Sequence, residues 1–203
     1  MRASTCDNRS TRVRIIIRRR ALAKRLLYLA AALTILAVAG LSAACFGDGT
    51  WRVGSDVAPG TYRAANTSAG CYWERLSGFG GTMDEVIANN FTSDPDVVTI
   101  APTDVGFSSE GCGIWTENLA AITASPTAPF GAGTFIVGVD IAPGTWRNSD
   151  SSSGCYWARL SGFSGTMDDI IANNYSNSAE MVTIATGDAG FASSSCGTWT
   201  KVQ

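Results

Sequence analysis

The sequence predicts an all-β protein: two tandem small β-sandwich or barrel-like modules, one disulfide each, after an N-terminal signal segment. Three observations predict it. Residues 47–119 realign on residues 131–203 at a constant offset of 84 without a gap, and roughly 40 of about 73 positions are identical, so one structural unit occurs twice. Short runs rich in Val, Ile, Thr and aromatic residues recur about every 10 residues between Gly, Pro, Asn, Asp and Ser, the rhythm of a sandwich or small barrel. Cysteines fall two per repeat at equivalent positions.

The chain begins with a basic segment. Residues 1–44 hold 9 Arg and Lys against one acid, Asp7, and LLYLAAALTILAVAGLSAA at 26–44 is apolar. A positive flank, an apolar core and small residues before a cut form a secretory signal pattern. LSAAC at 41–45 resembles a bacterial lipobox, which makes Cys45 the candidate lipidation site and the first residue of the mature protein. The alternative is an uncleaved transmembrane anchor, because 19 apolar residues just span a bilayer. RRALAK at 19–24 loosely resembles a twin-arginine export signal. The predicted organisation is a signal peptide with lipobox at 1–45, a first β module at 46–118, a linker at 119–130 and a second β module at 131–203.

Of the total 15 basic and 17 acidic groups, 6 and 16 remain after the leader, a net charge near −10. Such a surface repels phosphate backbones and excludes nucleic acid as a partner. No histidine is present, and Lys201 is the only lysine outside the leader. The commonest general base and the commonest zinc ligand are therefore missing. No metal and no cofactor is expected.

In the first copy the expected strands are Thr50–Val53, Thr61–Ala64, Cys71–Leu76, Glu85–Ala88, Val97–Ala101 and Ile114–Thr116. Ala58-Pro59-Gly60-Thr61 and its repeat Ala142-Pro143-Gly144-Thr145 have the Pro-Gly centre of a type II turn. MDEVIANN at 83–90 reads as a strand followed by an Asn turn, with a single helical turn as the alternative. The glycine-rich GFGGT and SGFSGT read as tight turns, because no phosphate-binding lysine follows them.

Cys71, Cys112, Cys155 and Cys196 permit three pairings. Two copies of one fold should close the same bridge, which selects Cys71–Cys112 and Cys155–Cys196. Each closes a loop of about 40 residues, worth on the order of 4 kcal/mol in the chain-entropy model. A zinc site is the rival reading; it lacks both CxxC spacing and histidine.

Aromatic residues recur in register: Tyr62 with Trp146, Tyr72 with Tyr156, Trp73 with Trp157, Phe79 with Phe163, Phe107 with Phe191, and Trp115 with Trp199. These are first of all core candidates. Tyr72 and Trp73 point to opposite faces of a strand, so one is buried near the disulfide and the other reaches solvent. Tyr72, Trp73, Tyr156 and Trp157 are accordingly the candidate ligand-binding residues.

The string VGxDIxPGTYR, CYWxRLSGFxGTxDDIIANN, VTIxxxDxGFxS and CGxWT resembles a recurrent extracellular module of actinobacterial secreted and lipid-anchored proteins. The resemblance covers nearly all of 47–203 in both copies. It implies cell-surface placement and brings no catalytic residues.

Asp56, Asp84 and Asp104 recur as Asp140, Asp168 and Asp188, and Arg63 and Arg75 recur as Arg147 and Arg159. An Asp pair suits an envelope hydrolase, and Asp84, Asn89 and Asp104 are candidate calcium ligands. Turn capping and Asp–Arg pairs at the core edge are the plainer expectation. The leading functional expectation is a lipid-anchored cell-surface binding or spacer protein without catalytic activity, with a cell-envelope polymer or surface protein as partner. Its alternative is the Asp-pair hydrolase. The linker reads as extended and semi-rigid, holding the second module about 30–40 Å beyond the first. Two retained copies imply two equivalent ligand sites.

Replacing Cys45 with Ala should release the protein from membranes or stall its processing. An unchanged mature mass and membrane fraction would contradict lipidation.

Overall fold

A computed structural model describes residues 45–65, 70–149 and 154–202; the signal segment before Cys45 lies outside the described residues. Among those described, no helix is long and apolar enough to cross a membrane. The first module comprises β1 (Cys45–Phe46), β2 (Gly49–Arg52), β3 (Gly60–Ala64), β4 (Cys71–Leu76), β5 (Val86–Thr92), β6 (Asp96–Ile100), β7 (Gly106–Glu110) and β8 (Trp115–Thr116). The second comprises β9 (Gly133–Ile136), β10 (Gly144–Asn148), β11 (Cys155–Leu160), β12 (Ile170–Ser176), β13 (Met181–Ile184), β14 (Gly190–Ser194) and β15 (Trp199–Lys201). One 3-10 turn precedes β5 and another precedes β12, at Met83–Glu85 and Met167–Asp169.

Each module is a pair of antiparallel sheets facing across one core, and neither closes into a barrel. The first has strand orders β1-β8-β3-β6 and β2-β7-β4-β5; the second has β13-β10-β15 and β12-β11-β14-β9. Phe46 pairs with Trp115 in β8, and Phe130 repeats that pairing with Trp199. Phe130 thus belongs to the second core, where its ring meets Trp146 edge-on at 4.9 Å.

Burial follows the alternation of each strand. Trp73 stacks on Phe107 at 6.2 Å and Phe107 meets Trp115 edge-on at 5.4 Å; Trp157, Phe191 and Trp199 repeat this at 6.2 and 5.2 Å. The bridges are Cys71–Cys112 and Cys155–Cys196, as the duplication required. Both lie fully buried in these clusters.

Several expectations change. The segment 106–110, too rich in Gly and Ser to read as a strand, is β7, held on both sides by β2 and β4. MDEVIANN divides into a 3-10 turn and a strand, and its Asn pair lies inside β5 rather than in a turn. The Pro-Gly segments form bends without the carbonyl-to-amide bond of a type II turn. The Ala58 carbonyl instead accepts from the Tyr62 hydroxyl at 2.9 Å, and the Ala142 carbonyl from Trp146 Nε1 at 3.1 Å.

The largest change concerns the linker. It is not an extended spacer, and the modules pack directly on each other within the compact unit Ala43–Gln203. Arg63 of β3 forms a two-point ion pair with Asp140 of the second module at 3.1 and 2.5 Å, both side chains almost wholly buried. The same carboxylate accepts the amides of Ile122 in the linker and Ile136 in β9 at 2.9 and 2.7 Å. Arg63 also donates to the linker carbonyl of Ala120 at 2.8 Å. A second contact runs along the edge strands β6 and β9: the Thr134 amide donates to the Pro95 carbonyl and its hydroxyl to Asp96, at 2.8 and 2.7 Å. The loop at 163–165 completes the junction. The Phe163 carbonyl accepts from the Thr99 amide and the Ser164 carbonyl from Arg75 Nη1, both at 2.7 Å. Gly165, at φ 75°, lies against Trp73 so closely that a Cβ there would sit 2.5 Å from the ring.

Asp140→Asn keeps the shape and removes the charge that Arg63 faces. Breaking one side of a buried ion pair costs about 3–5 kcal/mol. Asp56→Asn, the same change at the exposed equivalent position, should stay within about 0.5 kcal/mol. Urea unfolding of the two variants checks the contrast.

Candidate functional site

The structure separates the aromatic candidates. Trp73 is 2% exposed and its Nε1 donates to Asp96 at 2.7 Å, so it is the inward, core member of its pair. Trp157 is half-buried and packs against the second core, without the indole hydrogen bond that Trp73 makes. Tyr72 is the outward member of its pair, 37% exposed, with its hydroxyl donating to Glu74 at 2.8 Å. Burial of the ring first, and then the Glu74 carboxylate, push the Tyr72 phenol up. Tyr156, its repeat, is half-buried beside the module junction. The two copies therefore do not present equivalent sites at these positions.

Of the recurring carboxylates, Asp104 and Asp188 are each committed to an arginine. Asp104 holds Arg75 through Nε and Nη2 at 2.7 and 2.8 Å, and Asp188 holds Arg159 at 2.7 and 2.9 Å. Each also caps a turn, accepting the amide of Ala101 or Ala185. Asp84 and Asp168 lie exposed in the 3-10 turns, whereas Asp104 and Asp188 are buried. The Asp pair of the hydrolase alternative and the calcium set Asp84, Asn89 and Asp104 are thus not assembled. Among the described residues, no three His, Cys, Asp or Glu side chains group to hold a metal ion.

Asp96 escaped the sequence reading because it recurs as Glu180. It is buried and accepts four hydrogen bonds: Trp73 Nε1 and Asn90 Nδ2 on one oxygen, the Val97 amide and the Thr134 hydroxyl on the other. Beside it a cleft of about 200 Å³ opens between the modules, lined by Trp73, Asn90, Tyr156, Leu160 and Phe163. That is below the roughly 300–1,000 Å³ of small-molecule sites.

The surface that does face solvent is the outer side of the β4–β5 pair. Register places Tyr72 opposite Phe91 and Glu74 opposite Asn89; in the second module Tyr156 lies opposite Tyr175 and Ala158 opposite Asn173, but there Ala158 is buried and Tyr156 half-buried at the junction, so only the β12 side of the row faces solvent. Phe91 is 71% exposed and Tyr175 66%. Each ring lies over a glycine, Gly70 or Gly154, where a Cβ would collide with it. Met83 with Met167 and Ile87 with Ile171 are exposed in both modules as well. An apolar side chain kept exposed twice is informative, because packing does not account for it. The signal was present in the repeat: positions 83 and 87 remain apolar at 167 and 171, and position 91 remains aromatic at 175.

Burial alone would push the Asp188 carboxyl up. The Arg159 guanidinium and the Ala185 amide outweigh burial and hold it below the usual carboxylate range. Hydrogen bonding to Asp188 in turn raises Arg159. A depressed carboxylate stabilises the fold above its unfolded value, near 3.9, and loses that contribution as pH falls through the lower folded value. Arg159→Met should therefore cost stability at pH 7 and progressively less below about pH 4. Thermal melts of the variant and the parent across that range provide the check.

No solved structure matches the chain. The Rv1352-like extracellular domain family matches twice, over residues 43–116 and 127–200. The chain is similar to the uncharacterized proteins Rv1352 of Mycobacterium tuberculosis and Mb1387 of Mycobacterium bovis. Each is 30% identical over 82 residues, covering 34% of this chain and 67% of the relative. Two sandwiches with matching bridges, each aligned on the same family, make the chain a member of the Rv1352-like extracellular domain family with that domain in tandem.

Proposed function

We propose that the protein is a non-catalytic cell-surface binding protein that recognises a cell-envelope polymer. The exposed rows of β5 and β12, Ile87 with Phe91 and Ile171 with Tyr175, are its contact surfaces. The single observation that carries this reading is the exposed aromatic at 91 and 175, opposite a tyrosine in both modules. An aromatic face flanked by amide and carboxylate groups on a rigid sheet suits a glycan, which offers apolar C–H faces and hydroxyls together. Family membership supports extracellular placement. The commitment of Asp104 and Asp188 to arginines supports the non-catalytic reading.

Anchoring through a lipid on Cys45 is part of the proposal, and the basic leader with LSAAC supports it. Cys45 is exposed and, in the structure, disulfide-bonded. Lipidation requires that sulfur as a thiol, so anchoring turns on the Cys45→Ala measurement.

Phe91→Ser with Tyr175→Ser should weaken co-sedimentation with insoluble cell-wall polysaccharide on the order of tenfold, as loss of central aromatic contacts does. The melting temperature should fall little, since both rings are mostly in water. Unchanged binding, or no binding by the parent protein, would leave a surface spacer as the better description.

A further inference from the structure

The junction between the modules is built from two different surfaces. The first module contributes Arg63, Trp73, Arg75, Pro95, Asp96 and Thr99; the second contributes Thr134, Asp140, Phe163, Ser164 and Gly165. Because the modules are repeats, each also carries the surface that the other uses. The second module keeps Arg147, Trp157, Arg159, Ala179, Glu180 and Thr183, and the first keeps Thr50, Asp56, Phe79, Gly80 and Gly81. Of these 11 positions 8 are identical to their partners in the junction. The other three keep the group that bonds: a carboxylate at 180, and backbone carbonyls at 179 and 80.

Within one chain these halves stand unused. Arg63 and Asp140 are buried together, whereas Arg147 and Asp56 are exposed and share no ion pair. Among the described residues Asp56 accepts the Arg52 amide alone, at 3.0 Å, the counterpart of the Ile136 bond to Asp140. Val97 is buried at the junction, but its repeat Met181 is 61% exposed. Phe163 is half-buried, but its repeat Phe79 is exposed. Thr134 reaches across to Asp96, which accepts Trp73 Nε1. In the second module the Glu180 carboxylate is bonded by Asn174, and the buried Trp157 Nε1 has no partner among the described residues. The first module also has an open hollow of about 280 Å³ lined by Thr50, Glu74, Leu76, Phe79 and Gly81. Its repeat is the wall of the junction cleft, where module one's edge covers it. The strands that would meet, β2 and β13, are sheet edges, as β9 and β6 are.

We propose that a second copy of this chain docks head to tail, its second module seated on the first module of its neighbour, with Arg147 of one copy paired to Asp56 of the other. The contact is heterologous: it repeats the operation that relates the two modules within a chain and propagates as a string or a ring. Continuity with the internal junction and the charge match at Arg147 and Asp56 select a second copy as the occupant. Glu74 stands where the internal junction has Ala158, adding a carboxylate that faces the Glu180 side. The internal contact also gains from tethering, equivalent to roughly millimolar concentration, which a second chain lacks. Association should therefore appear where chains are concentrated.

The test is sedimentation velocity of the full chain in detergent up to about 1 mM, the tethered equivalent. The parent should show concentration-dependent dimers and larger species. R147D alone and D56R alone should each be shifted toward monomer by about tenfold in concentration, consistent with truncation of a charged contact. An equimolar mixture of R147D with D56R should regain oligomers, because the reversed charges then meet. A parent that stays monomeric throughout, association indifferent to both reversals, or failure of the mixture to regain it would overturn the proposal. The mixture separates it from misfolding, since a misfolded variant is not rescued by another chain.

Discussion

The buried carboxylate of Asp140 is the interaction on which the arrangement of this protein depends. It takes two bonds from Arg63 in the first module, one from Ile122 in the linker and one from Ile136 in its own module. A carboxylate has about four acceptor sites, and all are filled from three separate parts of the chain. Removing both charges from water is expensive, and only complete hydrogen bonding compensates it. The compensation fails at one atom: Arg63 Nε is buried without a partner among the described residues. An apolar pair would cost less, but it would not dictate which face of one module meets which edge of the other. The ion pair fixes that orientation.

Duplication usually suggests two independent beads. Here the same residues have acquired different environments. Arg63 is buried and Arg147 is exposed; Asp140 is buried and Asp56 is exposed. By contrast, Arg75–Asp104 and Arg159–Asp188 form the same pair in both modules, because they close a turn within one sandwich. The first class of interaction belongs to the assembly and the second to the fold. The outward rows at Phe91 and Tyr175 belong to neither, which is why they carry the functional reading.

Much of one module was legible in the sequence. The bridges followed from equivalence of the copies, the long strands from alternation of apolar and polar residues, and the Asp–Arg pairs from their joint retention. The Gly- and Ser-rich β7 was not legible, because its place comes from ladders on both sides rather than from its own side chains. The Pro-Gly sequence signals a closed turn, but the bends stay open because their carbonyls serve aromatic hydroxyl or indole groups four residues on. The junction was invisible for a different reason. A repeat shows what both copies share, and the junction is where they differ in surroundings while sharing residues. The linker's small residues and prolines suggested extension; its amide at Ile122 and carbonyl at Ala120 are taken up by Asp140 and Arg63.

The central claim is that the two modules form one body held through Asp140. Backbone 15N relaxation of the full chain tests it most directly, read separately over residues 46–116 and 130–201. One body predicts a single rotational correlation time shared by both sets. Two distinct, shorter correlation times would describe beads on a flexible tether and contradict it.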